Sequence, residues 1–231
     1  MKKIVSLLLI LCLIILPLPK VSALSLSAKY ACLIDAQTGQ VLFEKNGYTE
    51  HSMASTTKIM TALLAIENST PQEIVTVSAN AAGTEGSSLY LKSGEKIAMG
   101  DLLYGLMLES GNDAAVAIAE HIGKSTDDFA QMMTKRAHEI GARQTAFKNP
   151  NGLDAEGHHT TAYDLALITR HAMKNPVVAE IVATKRKTTD GASNSTIRSF
   201  YNHNKLLSLY TGCTGVKTGF TKKTGRGPTR P

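Results

Sequence analysis

The sequence predicts an α+β fold in which a small antiparallel sheet sits beside a separate helical lobe, and three observations carry that prediction. A hairpin pattern opens the mature chain, helical periodicity dominates from residue 55 to residue 173, and strand character returns over 209–219. Strands grouped at the two ends, with helices between them, place the first and last elements in one sheet and the helices in their own layer.

The elements follow in order. Residues 30–34 form a short apolar run, 35–39 (Asp-Ala-Gln-Thr-Gly) a turn, and 40–44 the partner strand of a β-hairpin. Ser55 opens a helical stretch in which Ile59, Met60, Leu63, Leu64 and Ile66 recur at helical spacing. Further helices are expected over 101–107, 113–122 (rich in alanine), 129–140 (ending near Gly141) and 163–173, the last capped by Thr160 or Thr161. The polar stretch 186–199, dense in Thr, Ser and Asn, reads as a loop or an exposed ribbon. No internal repeat is present.

Residues 1–23 read as a secretory signal. Lys2 and Lys3 precede an apolar run at 4–16, and Val21-Ser22-Ala23 offers small residues for cleavage. The run is shorter than the roughly 20 residues a bilayer span needs, and Pro17 and Pro19 close it. An exported protein at the outer face of the cytoplasmic membrane is therefore expected, with no membrane anchor beyond this leader.

The formal charge of +6 is made at the two ends. Loss of the leader removes Lys2, Lys3 and Lys20, and Lys222, Lys223, Arg226 and Arg230 crowd the last ten residues. What lies between carries close to no net charge, which argues against nucleic acid as a partner. Cys32 and Cys213 are distant in sequence, and two half-buried free thiols are expected in place of a disulfide.

Three short motifs bear the chemistry. Ser55-Thr56-Thr57-Lys58 puts a hydroxyl and an amine one helical turn apart, on one face, with Cβ atoms about 5–6 Å from each other. Serine is a weak nucleophile without a base beside it, and lysine serves as that base only when burial or a neighbouring cation lowers its pKa. Ser110-Gly111-Asn112 adds a second hydroxyl beside an amide. Its bland alternative is a helix break, with glycine ending one helix and Asn112 capping the next. Lys217-Thr218-Gly219 brings a cation on an extended segment, where Lys217 and Gly219 face one way and Thr218 the other. Each motif alone is common by chance; their conjunction in this order, in an exported chain, points to a serine acyltransferase with a lysine base.

The segments carrying these motifs resemble the low-molecular-mass penicillin-binding proteins, serine-type D-alanyl-D-alanine carboxypeptidases. The resemblance runs through residues 53–61 and 108–115. It continues through Phe147-Lys148-Asn149-Pro150-Asn151-Gly152-Leu153-Asp154, His158 and 161–166, and covers roughly 30–221. It implies a β-lactamase/transpeptidase-like fold and hydrolysis of the terminal D-Ala-D-Ala bond of peptidoglycan stem peptides. Ser55 would be the nucleophile, Lys58 the base and Ser110 the proton relay. Asn112, Lys217, Thr218 and Gly219 would bind substrate, and the backbone N–H groups of Ser55 and Phe220 would form the oxyanion hole, at about 3–4 kcal/mol per donor. β-Lactam antibiotics would acylate Ser55 as inhibitors. No metal or other cofactor is implied, since Ser55 and Lys58 supply nucleophile and base.

His51, His158, His159, His171 and His203 stand outside any motif that would make a base, and are expected at the surface or in loops. Asp154 and Glu156 suggest a deacylating carboxylate as in a β-lactamase, but their surroundings do not resemble that family's loop. The alternatives to a carboxypeptidase are thus a β-lactamase or an inactive fragment that only binds β-lactam or peptide. The chain departs from the family after Thr221: residues 222–231 lack an apolar pattern and are expected to be disordered, and the last strands and the closing helix of the domain are expected to be missing. The domain is accordingly read as an incomplete one over 24–221.

Overall fold

The computed structural model of the chain describes residues 26–191, 196–221 and 225–229. The leader expected over 1–23 lies outside the described residues. Ala31–Ile34 (β1) and Val41–Lys45 (β2) form the expected antiparallel hairpin, with Ala31 opposite Lys45. The turn is built as its residues demand. The Asp35 carboxylate accepts from the Gln37 and Thr38 backbone N–H and from the Thr38 hydroxyl, and Gly39 takes φ +83°, open to glycine at little cost.

A 3-10 turn, Ala54–Thr57, leads into α1, Lys58–Asn68. α1 is the central helix: Ile59, Met60, Leu63 and Leu64 are buried, and it packs against α3 (Met99–Leu108), α4 (Asn112–Gly123), α5 (Thr126–Ile140), α6 (Ala162–Ala172) and α7 (Pro176–Ala183). The alanines of α4 allow close approach, since Ala114, Ala115, Ala117 and Ala119 are all fully buried between neighbouring helices. Caps follow the side-chain rules. Ser125 accepts from the Asp128 N–H at the start of α5, Gly141 ends it at φ +102°, and Thr161 accepts from the Asp164 N–H at the start of α6. Among the described residues no helix is long and apolar enough to cross a membrane. Cys32 and Cys213 are half-buried and unbridged, as expected.

Several elements were not legible. Ile74–Thr76 (β3) pairs with Lys96–Ala98 (β4), and Ala79–Ala82 forms a single helical turn, α2; runs of three or four residues are too short to show a period. α7 carried a readable signal: Asn175 caps the Val177 N–H and Pro176 stands at the first helical position. The polar stretch 186–199 proves to be a ribbon at its ends, where Arg186–Thr188 (β5) pairs with Ser199–Tyr201 (β6).

Three expectations about the last part of the chain are corrected. Strand structure was expected over 209–219, but Leu206–Leu209 is a helical turn (α8) and strand β7 spans only Lys217–Thr221. The tail expected to be disordered carries a strand at Gly225–Thr229 (β8), antiparallel to β7 with Lys217 opposite Thr229. The hairpin and β7 do not share a sheet; among the described residues the strands pair only two by two, β1 with β2 and β7 with β8. A common ladder needs neighbouring strands about 4.8 Å apart, and no described strand joins the two ribbons.

Candidate active site

The site lies where the 3-10 turn, the N-terminus of α1, the α3–α4 connection and β7 converge. Ser55 sits in the 3-10 turn and Lys58 is the first residue of α1, so the tight turn delivers the hydroxyl to the amine: Lys58 Nζ is 3.2 Å from Ser55 Oγ. Strand β7, bearing Lys217, Thr218, Gly219 and the Phe220 backbone, packs directly on that 3-10 turn.

Lys58 is 0 % exposed, and its amine makes two shorter contacts, to Asn112 Oδ1 at 2.7 Å and the Asn151 carbonyl at 2.5 Å. Both partners are acceptors only. A neutral amine has two N–H donors and one lone pair; with both donors committed to the carbonyl oxygens, the lone pair is left for the Ser55 hydroxyl. The electrostatics agree. Burial holds the Lys58 amine well below the usual lysine range, the charge of Lys217 lowers it further, and the Asp113 carboxylate opposes both. Lys217 is 2 % exposed, and burial lowers it to about 8. Its Nζ donates to the Thr218 carbonyl at 3.1 Å.

Ser110 takes φ +66°, a left-handed conformation unusual for a residue with a Cβ, in the break between α3 and α4. Its hydroxyl is buried and has no hydrogen-bond partner among the described residues. Such a group costs about 1–3 kcal/mol, and its retention marks a place where a partner belongs. Gly111, not Asn112, occupies the N-cap position of α4, so the simple capping alternative does not hold. Asn112 turns its amide sideways instead, accepting from Lys58 and donating Nδ2 to the Glu85 carbonyl at 2.7 Å. Next to it, Asp113 is fully buried and accepts from the Ser88 hydroxyl and the Leu89 and Leu91 N–H groups, tying the 85–91 segment to the start of α4. Ser55, Lys58 and Asn112 are therefore in direct contact, with the Lys217 charge close enough to act on Lys58.

Sequence reasoning missed the floor of the site, the loop 148–152. It supplies the Asn151 carbonyl to Lys58 and the Pro150 carbonyl to Thr61 Oγ1 at 2.6 Å. Gly152, at φ +88°, lies so close behind the nucleophile that a Cβ there would come within 2.0 Å of the Ala54 carbonyl oxygen. A backbone acceptor leaves no trace in residue type, whereas the Asn-Gly pair at 151–152 was a visible turn signal. His158 was expected in a loop or at the surface. It is 5 % exposed and bonded through both nitrogens, because it fills the space between this loop and the 3-10 turn. His51, His159, His171 and His203 keep some exposure. Among the described residues no group of three His, Cys, Asp or Glu is placed to hold a metal ion.

Comparison with known proteins gives the same direction throughout. The family model described as D-alanyl-D-alanine carboxypeptidase matches residues 19–228. The D-alanyl-D-alanine carboxypeptidase DacF of Bacillus subtilis is 39% identical over 209 residues, spanning 87% of this chain and 53% of its own. DacD of Escherichia coli is 36% identical over 206 residues, spanning 84% and 52%. The chain thus covers about half the length of these curated relatives. The solved D-alanyl-D-alanine carboxypeptidase of Mycobacterium tuberculosis superposes with a TM-score of 0.81 at 33% identity, covering 86% of this chain and 75% of that one. The transpeptidase-like fold, the serine–lysine pair where the 3-10 turn meets α1 and the sequence match agree: the chain belongs to the D-alanyl-D-alanine carboxypeptidase family.

Proposed function

We propose that the chain is an exported, penicillin-sensitive serine carboxypeptidase that removes the terminal D-alanine from peptidoglycan stem peptides. The observation that carries the reading is the buried Lys58 amine, with both donors taken by Asn112 and Asn151 and its remaining site turned to Ser55. Ser55 attacks the carbonyl between the two D-alanines, and Lys58 takes its proton. Ser110, whose buried hydroxyl lacks a partner among the described residues, passes a proton to the departing amine. The Ser55 and Phe220 N–H groups hold the oxyanion. The Lys217 ammonium and Thr218 hydroxyl hold the terminal carboxylate, beside Gly219, where the absent side chain leaves room for a backbone. Asn112 keeps Lys58 in place and meets the substrate backbone. Water then releases the acyl group from Ser55. A β-lactam enters the same path and stays on the serine.

The test is the intact mass of the chain after exposure to benzylpenicillin, beside a Ser55→Ala control. A stable adduct on the first and none on the second is expected. An unmodified wild-type chain overturns the reading, and rapid loss of the adduct by hydrolysis makes the protein a β-lactamase instead.

The pH profile is also fixed in sign. Attack needs neutral Lys58, so kcat/KM on a D-Ala-D-Ala peptide rises as pH passes the lowered pKa of that amine. Carboxylate binding needs charged Lys217, so the profile falls as pH passes about 8. A rate that stays level well above pH 8 removes Lys217 from the carboxylate-binding role.

A further inference from the structure

His158 stands between the two segments that meet at Lys58. Its Nε2 is 2.8 Å from Thr57 Oγ1, in the turn that carries Ser55, and its Nδ1 is 3.0 Å from the Lys148 backbone nitrogen, in the loop that carries the Asn151 carbonyl. A backbone N–H can only donate, so Nδ1 accepts. In a neutral ring the proton is then on Nε2, and Nε2–H donates to the Thr57 hydroxyl. The Phe147 ring packs edge-on against the imidazole at 5.8 Å between centroids. We propose that His158 is a positioning residue for acylation: as a neutral imidazole in the Nε2–H form it locks the Ser55–Lys58 turn to the 148–152 loop, and so keeps the Lys58 lone pair aimed at Ser55. The inference rests on the acylation chemistry proposed above.

A protonated ring would set Nδ1–H against the Lys148 N–H, two donors face to face, and the clamp would open. The surroundings resist that proton. Burial depresses the His158 pKa from 6.5 to about 4, His159 adds to the depression, and the Asp154 carboxylate opposes it. Glu50, His51 and Glu156 line the adjoining cleft, and the Lys148 side chain lies on the loop itself. Because the folded-state pKa lies below the value of 6.5, the stability tied to the neutral ring is complete above pH 6.5. It is lost as pH falls toward about 4.

The test compares Thr57→Val, nearly isosteric, and His158→Gln with wild type in the full chain. Each is expected to lower the first-order acylation rate constant with benzylpenicillin about tenfold per folded molecule, because misplaced reacting groups lose rate steeply. The dissociation constant of the preceding non-covalent complex should stay within about twofold, as binding groups on β7 are untouched. Acylation rate constants within about twofold of wild type in both variants overturn the proposal, since a clamp that matters must show in this step. Imidazole 15N shifts of the wild-type chain decide separately from catalysis. Nε2–H with unprotonated Nδ1, retained down to pH 5, is the expected pattern for a ring whose pKa is about 4. An Nδ1–H tautomer, or titration near 6.5, overturns the clamp even if the chain never reacts with penicillin. A wild-type chain that keeps the expected tautomer and fails to acylate would overturn the carboxypeptidase reading and leave the clamp standing.

Discussion

Replacing Lys58 with methionine is expected to slow acylation of Ser55 by benzylpenicillin about 10²–10⁴-fold, the range that a positioned general base contributes. The physical case rests on proton accounting. The amine touches three oxygens, and the two carbonyl oxygens at 2.7 and 2.5 Å can use only its N–H groups. In the neutral amine that attack requires, both N–H groups are then used and the lone pair is left for the Ser55 hydroxyl at 3.2 Å, a contact to which the ammonium form donates. Methionine fills a similar volume but offers no proton acceptor of useful basicity. It also leaves Asn112 Oδ1 and the Asn151 carbonyl without their donor, at about 1–3 kcal/mol for each group. Part of that loss is offset because a lysine no longer has to be kept dry. The chain should remain folded by circular dichroism while stopped-flow or mass-resolved acylation collapses. Acylation within tenfold of wild type would mean that another group takes the serine proton, and the unpartnered Ser110 hydroxyl would be examined next.

Gly152→Ala is expected to be the most damaging small substitution. The added Cβ would meet the Ala54 carbonyl oxygen at 2.0 Å and the Ser55 nitrogen at 3.0 Å, and both are backbone atoms that no side-chain rotation can move aside. The residue also stands at φ +88°, where an L side chain adds about 1–2 kcal/mol of strain. Overpacking of this kind costs about 1–3 kcal/mol more. A combined loss of about 2–5 kcal/mol would lower the melting temperature by roughly 4–20 °C for a chain of this size. Relief can come only by pushing the 3-10 turn away, which moves Ser55 off Lys58 and displaces the Ser55 N–H proposed to hold the oxyanion. Thermal melts together with acylation of whatever protein stays folded would check both parts. An unchanged melting temperature would show that the 148–152 loop yields freely and is not the floor of the site.

Much of this site was readable in the chain. A lysine three residues after a serine faces it on any helical turn, and 3-10 geometry at Ala54–Thr57 only tightens that relation. The helices that carry the lobe were readable for the same reason, since Leu102, Leu103 and Leu106 recur at helical spacing and are buried. Less could be read wherever function rested on the backbone or on a distant partner. The Asn151 carbonyl that orients Lys58 has no signature in residue type. His158, expected at the surface or in a loop, lies in a loop but is buried, because segments about a hundred residues apart close on it; Thr57 precedes it by 101 positions. The sheet was overestimated for a related reason. Strand character is local, but ladder partners are assigned by what folds alongside, and β7 pairs with a glycine-rich segment at Gly225–Thr229 that shows no apolar alternation.

Local periodicity and spacing thus determined the helical lobe, the hairpin and the facing of Ser55 and Lys58, and the motifs pointed to the family that the comparison shows. Packing alone decided that Lys58 and Lys217 are both dry, that the charge of Lys217 lowers the Lys58 pKa, that Asn112 and Asn151 accept from the amine, and that His158 bridges Thr57 and Lys148. The reason is that neighbours in sequence are fixed by covalent geometry, whereas burial and pKa depend on how many distant segments exclude water from the same small volume.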